Sequence, residues 1–196
     1  MKGNANATRT EESSHDHAPR ALIVVDVQQE YFDGILQIQS PDRGQALANI
    51  LAALDVADRE DLPVVVVRHE LPEGAPVFAV GSHSWLLHPE IERRLKPSWK
   101  RVTKDKSSVF ASTDVAEELG LAAEILSDAS GAIHLANEAG KVSADQLHQT
   151  LLVLLHSNFA AVATTEAWTD AVAAQKPLAK SDLGTSALQG RAAFAG

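Results

Sequence analysis

Two rhythms of apolar positions run along the chain. Short unbroken apolar runs suit strands buried on both faces, and apolar residues three or four apart suit helices packed on one side. Ala-Leu-Ile-Val-Val-Asp-Val (21–27) is the first run, closing on a carboxylate. Leu47, Ile50, Leu51, Leu54 and Ala57 then recur at helical spacing, which predicts a helix over 43–60 with Asp42 as its N-cap. A second buried strand is expected at Pro63–Arg68, through the valines 64–67. A loop over 70–88, marked by Pro72, Gly74, Pro76 and Gly81, leads to a short helix at Pro89–Leu95 and a third strand at Lys100–Lys104. Thr113 caps a helix ending at Leu121, and Glu124–Ser127 is a fourth strand before the turn Asp128-Ala-Ser-Gly131. Ser143-Ala-Asp-Gln146 is a capping-box pattern opening a helix to about Asn158, with Leu147, Leu151, Leu154 and Leu155 as its apolar stripe. Ala161–Thr165 reads as the last strand and Thr165–Ala174 as a last helix. Strands alternating with amphipathic helices indicate an α/β fold, with an open, mostly parallel sheet flanked by helices.

The ends behave differently. Residues 1–20 offer almost nothing to bury and read as a disordered tail, in which His15 and His17 are solvated rather than a metal pair. From Gln175 onward the chain is Ala, Gly, Ser and Lys without periodicity, and a loose tail over 175–196 is expected. One domain spans 21–174.

Charge and composition narrow the function classes. The 196 residues carry 17 Lys+Arg against 26 Asp+Glu, a formal charge of −9, which disfavours a nucleic-acid partner. No apolar run is long enough to cross a bilayer, and Met1–Arg20 lacks the apolar core of a signal peptide, so no membrane partner and a cytoplasmic location are expected. Cysteine is absent altogether, which removes disulfides, thiolate zinc sites and any cysteine nucleophile.

In an open α/β sheet, functional groups collect beyond the carboxyl ends of the strands. Asp26, Lys104 and Asp128 stand there. A carboxylate at a strand end is often only a turn or cap residue. Asp26 is more suggestive, because four apolar residues precede it and Val27 follows. Desolvation pushes such a carboxyl upward unless a cation sits beside it, and Lys104 is the candidate cation. An Asp–Lys pair in a cleft can shuttle a proton and hold an anionic intermediate. His69 follows the second strand and either lines the cleft or is a loop residue. His83 with His88 is a poor zinc signature, and His148 with His156 suits a surface helix face. Trp85, Trp99 and Trp168 are packing residues by default. Gly-x-x-x-x-Gly-Lys, Gly-x-Gly-x-x-Gly and Gly-x-Ser-x-Gly are all absent.

Several stretches together resemble the isochorismatase-like cysteine hydrolases, the group that includes nicotinamidases. Asp26-Val-Gln-Gln-Glu-Tyr-Phe32 resembles the signature after that family's first strand. Val-Val-Val-Arg-His (65–69) resembles its second strand, and His88-Pro-Glu-Ile91 the segment before its third. Lys104-Asp-Lys-Ser-Ser-Val-Phe-Ala-Ser-Thr113 resembles the family's Lys-x-x-x-Ser-x-Phe-x-x-Thr pattern, and Ser127-Asp-Ala-Ser130 the element after its fifth strand. The resemblance spans about Ala21 to Ala174. It implies hydrolysis of C–N or C–O bonds in a small molecule, with Asp26 as general base and Lys104 as the supporting cation. It also places Gln28, Phe32, His69 and Phe110 beside the substrate. Homo-oligomers are implied too. No cofactor and no metal are expected, since an Asp-x-His cluster of the nicotinamidase type is missing.

The resemblance also exposes a gap. In that family a strand, a Gly-rich turn bearing the cysteine and a helix stand between the equivalents of 113–121 and 124–127. Here Glu118-Leu-Gly-Leu121 runs almost straight into Glu124-Ile-Leu-Ser127. The missing unit would hold about 30 residues. Three readings follow: a family hydrolase whose thiol route is closed, an inactive binding or assembly subunit, or a deletion product of an active enzyme. Ser107, Ser108, Thr113 and Ser130 are the hydroxyls nearest the expected cleft, but the family's oxyanion donors belong to the missing turn. The sheet is expected to close by moving the 124–127 strand beside 21–27, giving five strands.

Overall fold

A computed structural model describes residues 20–106 and 122–195. The helix expected at 113–121, residue Phe110 and all of the 1–20 tail except Arg20 lie outside these residues. Arg20 itself is anchored rather than free. Its guanidinium donates twice to Glu124, at 3.0 and 3.1 Å.

The first half follows the apolar pattern closely. β1 (Leu22–Val25), β2 (Val64–His69) and β3 (Lys100–Lys104) form a parallel sheet in the order β1-β2-β3. α1 (Arg43–Arg59) crosses between β1 and β2, and Asp42 caps it by accepting from Gln45 N at 2.9 Å. The core lies between this sheet and α1. Val24, Val64 and Val66 of the strands meet Leu54 and Ala57 of the helix, with Leu87, Ile91 and Trp99 closing the sides. Burying each such side chain contributes roughly 1.5–3 kcal/mol. The short helix α2 ends earlier than the sequence suggests, at Pro89–Glu92, with His88 as its cap.

The second half contains β4 (Ala123–Leu126), a small exposed hairpin of β5 (Leu135–Asn137) and β6 (Gly140–Val142), α3 (Ala144–Asn158), β7 (Ala160–Ala163) and α4 (Thr165–Ala173). The capping box at Ser143 and Gln146 forms in full. The hairpin gives no apolar signal in the sequence, and all but one of its strand residues are exposed.

The five-stranded closure does not form. β4 pairs in parallel with β7, Ala123↔Ala160 to Leu126↔Ala163, and β1 pairs with β2 alone among the described residues. The described parallel strands therefore make a sheet of three and a sheet of two. The two are tied through other groups. Leu22, Leu62 and Leu126 pack on a cluster of Ala53 and Val56 from α1 with Trp168 and Val172 from α4. Glu124 on β4 also accepts from Trp168 Nε1 (3.1 Å) and Leu178 N (3.1 Å). Those contacts tie β4 to α1, α4 and the start of β1 without pairing it in that strand's sheet.

The C-terminal expectation is also corrected. Leu183–Ala193 forms a helix, α5, capped by Asp182, although it buries no residue. Asp182 supplies a good N-cap, and the helix lacks the apolar periodicity that marks a packed one.

Candidate active site

The site is built where β1, β2 and β3 end. His69 and Lys104 are register partners in the β2–β3 ladder, so they share a face of the sheet. Extending the β1–β2 register one step past Val25↔Val67 would set Asp26 level with Arg68, one position out of phase with His69. The chain breaks the alternation at that point. Asp26 takes a left-handed backbone, φ +55°, which costs an L-residue roughly 1–2 kcal/mol. Its N–H still donates to Val67 O at 2.9 Å. Its Oδ2 meets Lys104 Nζ at 2.6 Å, with side-chain exposures of 11% for Asp26 and 13% for Lys104. Lys104 Nζ also reaches His69 Nδ1 at 2.8 Å and the carbonyl of Lys106 at 3.2 Å.

Burial and the neighbouring cation act on the Asp26 carboxyl in opposite directions. Burial raises the Asp26 pKa above the ordinary carboxylate range, and the hydrogen bond and charge of Lys104 oppose that without reversing it. Asp26 Oδ1 is buried without a hydrogen-bond partner among the described residues. Burial and Lys104 together hold the His69 pKa below its usual value. Tyr31 is pushed up to about 12, chiefly by burial and then by the charges of Asp26 and Glu30, so it is a neutral phenol.

The loop over 70–88 is a stitched cover. Leu71 N donates to Phe78 O, Val80 N to Leu71 O, Gln29 N to Leu86 O, Glu30 N to Ser84 O and His88 N to Val27 O. Phe78 is buried at φ +50° and lies against His69 (4.7 Å between ring centroids) and Tyr31 (5.4 Å). Arg68 stacks on Trp85 at 3.7 Å.

The predicted residues separate by role. Asp26, Lys104 and His69 come together. Gln28 is fully buried and spends its amide on backbone, accepting from His69 N (2.7 Å) and donating to the carbonyls of His69 (2.9 Å) and Trp85 (2.8 Å). Phe32 packs on the core and on the His88 ring at 4.4 Å. Phe110, Ser107, Ser108 and Thr113 lie outside the described residues. Ser130 donates to Leu126 O at 3.0 Å, with His148 Nε2 3.5 Å away. Asp128 accepts from the N–H and hydroxyl of Thr165, both at 2.8 Å, and is a local brace. His83 pairs with Asp33 on the surface, and His156 accepts from Val162 N. Among the described residues no group of three His, Cys, Asp or Glu side chains could hold a metal ion.

Sequence reasoning missed Glu30. It is 1% exposed, and its Oε1 accepts from Ile35 N (2.7 Å) and Leu36 N (2.9 Å). Gly34 permits that wrap, since a Cβ there would lie 2.7 Å from Glu30 atoms. The signal available was a glycine four residues after a glutamate in a loop.

The fold and site together define a parallel α/β sheet flanked by helices, with a buried Asp–Lys pair beyond its strand ends. Residues 20–122 match the model of the isochorismatase domain, and the chain belongs to the isochorismatase family. The chain is 35% identical to an isochorismatase-described protein from Burkholderia xenovorans LB400 of known crystal structure. The match covers 92% of this chain and 100% of that one, with a TM-score of 0.84. An isochorismatase from Pseudomonas putida KT2440 is 25% identical, with a TM-score of 0.66 over 78% of this chain and 93% of that one. The secreted isochorismatase effector Isc1 of Verticillium dahliae is 33% identical over 98 residues, half of each chain, so this chain spans about half the length of that curated relative.

Proposed function

We propose that this chain presents a small-molecule cleft of the kind that hydrolyses C–N or C–O bonds, with Asp26 as the proton-handling carboxyl and Lys104 as its cation. The observation that carries the reading is the 2.6 Å Asp26–Lys104 contact, nearly removed from water, at the ends of parallel strands. Family membership supports hydrolase chemistry. With no cysteine anywhere in the chain, the thiol route implied by the resemblance is closed. The cleft therefore binds small molecules of that class without thiol turnover, as an inactive homologue or a deletion product. The two-sheet arrangement, with β1 paired on one side among the described residues, supports a missing strand–turn–helix unit.

The test is turnover of a panel of small amides and enol ethers by the pure chain, with calorimetric binding of the same compounds. Binding without turnover, lost in Asp26→Asn and Lys104→Met, is expected. Turnover by the unmodified chain would overturn the binding reading.

Self-association and cytoplasmic residence belong to the same proposal. Exposed Leu151, Val153 and Leu154 of α3, with Leu183 and Leu188 of α5, support association with a second copy. Among the described residues no helix is long and apolar enough to cross a membrane. Since the Verticillium relative is described as secreted, cell fractionation decides the location.

A further inference from the structure

A cavity of about 710 Å³ opens between α3, β7, α5 and the segment leading into α5. Asp26, His69 and Lys104 are not on its wall. Its volume falls in the range of small-molecule sites, about 300–1,000 Å³. Leu152 and Val153 of α3 and Val162 of β7 give it an apolar side. Gly190 forms part of the α5 wall, and a Cβ there would meet nothing within 4 Å. A glycine inside a helix costs about 1 kcal/mol against alanine, and close packing is its ordinary compensation. Here nothing packs on it, and α5 stands off from α3 with space between them. The polar groups on the wall can all donate. The lining holds one lysine, one histidine and no carboxylate, in a chain of net charge −9. Lys180 Nζ donates to Asn158 O at 3.0 Å, which sets the ammonium at the C-terminal end of α3 with two N–H groups left over. His156 Nδ1 accepts from Val162 N at 3.0 Å, so the neutral ring carries its proton on Nε2. Asp182, the carboxylate next along the chain, is spent on the α5 cap, accepting from the N–H and hydroxyl of Thr185 at 2.8 and 2.7 Å.

We propose that this cavity is a second binding site, which takes an amphipathic carboxylate with its apolar body against Leu152, Val153 and Val162 and its head group on Lys180 and His156. The charge pattern selects the ligand. A cation would meet Lys180, and a wholly apolar molecule would leave the ammonium and the imidazole N–H without an acceptor. A carboxylate supplies acceptors to both through charge-assisted hydrogen bonds. The apolar body would also give α5, which buries no residue, a surface to pack on. Binding therefore stabilises the C-terminal helix. The site is separate from the strand-end pair and does not rest on the cleft reading above.

The experiment titrates octanoate and octylamine into the full chain by calorimetry, with thermal melts of each variant. One octanoate per chain is expected, and no octylamine. Asp26→Asn should bind octanoate as the wild type does, which separates this cavity from the strand-end pair. Lys180→Met keeps the length of the stem and removes the cation, and affinity should fall about tenfold. Gly190→Trp fills the cavity from a helical position. It should abolish octanoate binding without lowering the thermal midpoint, because glycine is the poorest helix former after proline. Octanoate should raise the midpoint of the wild type and leave that of Gly190→Trp unchanged. Absence of octanoate binding, equal affinity for octylamine, or unchanged affinity in Gly190→Trp overturns the proposal. A wild-type dimer that binds no octanoate, and that Gly190→Trp splits into monomers by light scattering, overturns it as well and assigns the cavity to a second copy of the chain.

Discussion

At position 26 one residue carries both a left-handed backbone and a desolvated carboxyl. The Lys104 contact and the Val67 hydrogen bond offset part of these costs. His69 gives the cleanest pH prediction. Its folded pKa lies below the ordinary 6.5, so the unfolded chain takes up a proton first as pH falls. Its stabilising contribution is present above that value and is lost as pH falls through the folded pKa. Urea midpoints from about pH 7.5 down to about pH 5 should therefore drop more steeply in the wild type than in His69→Gln. Equal slopes would contradict the assignment. Glu30→Ala leaves the part-buried N–H groups of Ile35 and Leu36 without their acceptor and should destabilise by about 1–2 kcal/mol in urea denaturation. Asp26 and Lys104 were legible because a polar residue closing an apolar strand stands out by contrast. Glu30 was not, because its partners are backbone groups in a turn whose shape no side-chain pattern announces.

Among the elements, caps and apolar periods carried the reading well. Asp42, Ser143 and Gln146 cap where their residue types predict, since a cap is a local hydrogen bond needing no distant partner. Asp42→Ala should cost about 1 kcal/mol, read as a lower thermal midpoint with the fold unchanged. The cover over 71–88 was legible only as a long loop. Its bonds run to residues 27–30, so its shape depends on contacts across tens of residues. The α5 helix escaped the sequence reading for the opposite reason: it buries no residue fully and leaves no apolar period behind.

In the whole molecule, the parallel α/β class was legible because strand and helix rhythms differ. The pairing of β4 was not, because a short apolar strand fits the edge of β1 and that of β7 equally well by pattern. In the structure β4 pairs with β7, and Glu124 on β4 is anchored to Arg20, Trp168 and Leu178. The exposed leucines of α3 and α5 predict a dimer by light scattering, about twice the 20.9 kDa chain, reverting to monomer in Leu154→Glu with Leu188→Glu. A monomeric wild type would contradict that surface assignment.

Insertion of a strand–Gly-turn–Cys–helix unit after Leu121 tests the account most directly. The chain as it stands should hydrolyse none of the amide panel, and the inserted chain should gain turnover that Asp26→Asn abolishes. Hydrolysis by the unmodified chain that survives replacement of both Asp26 and Lys104 by alanine would contradict it.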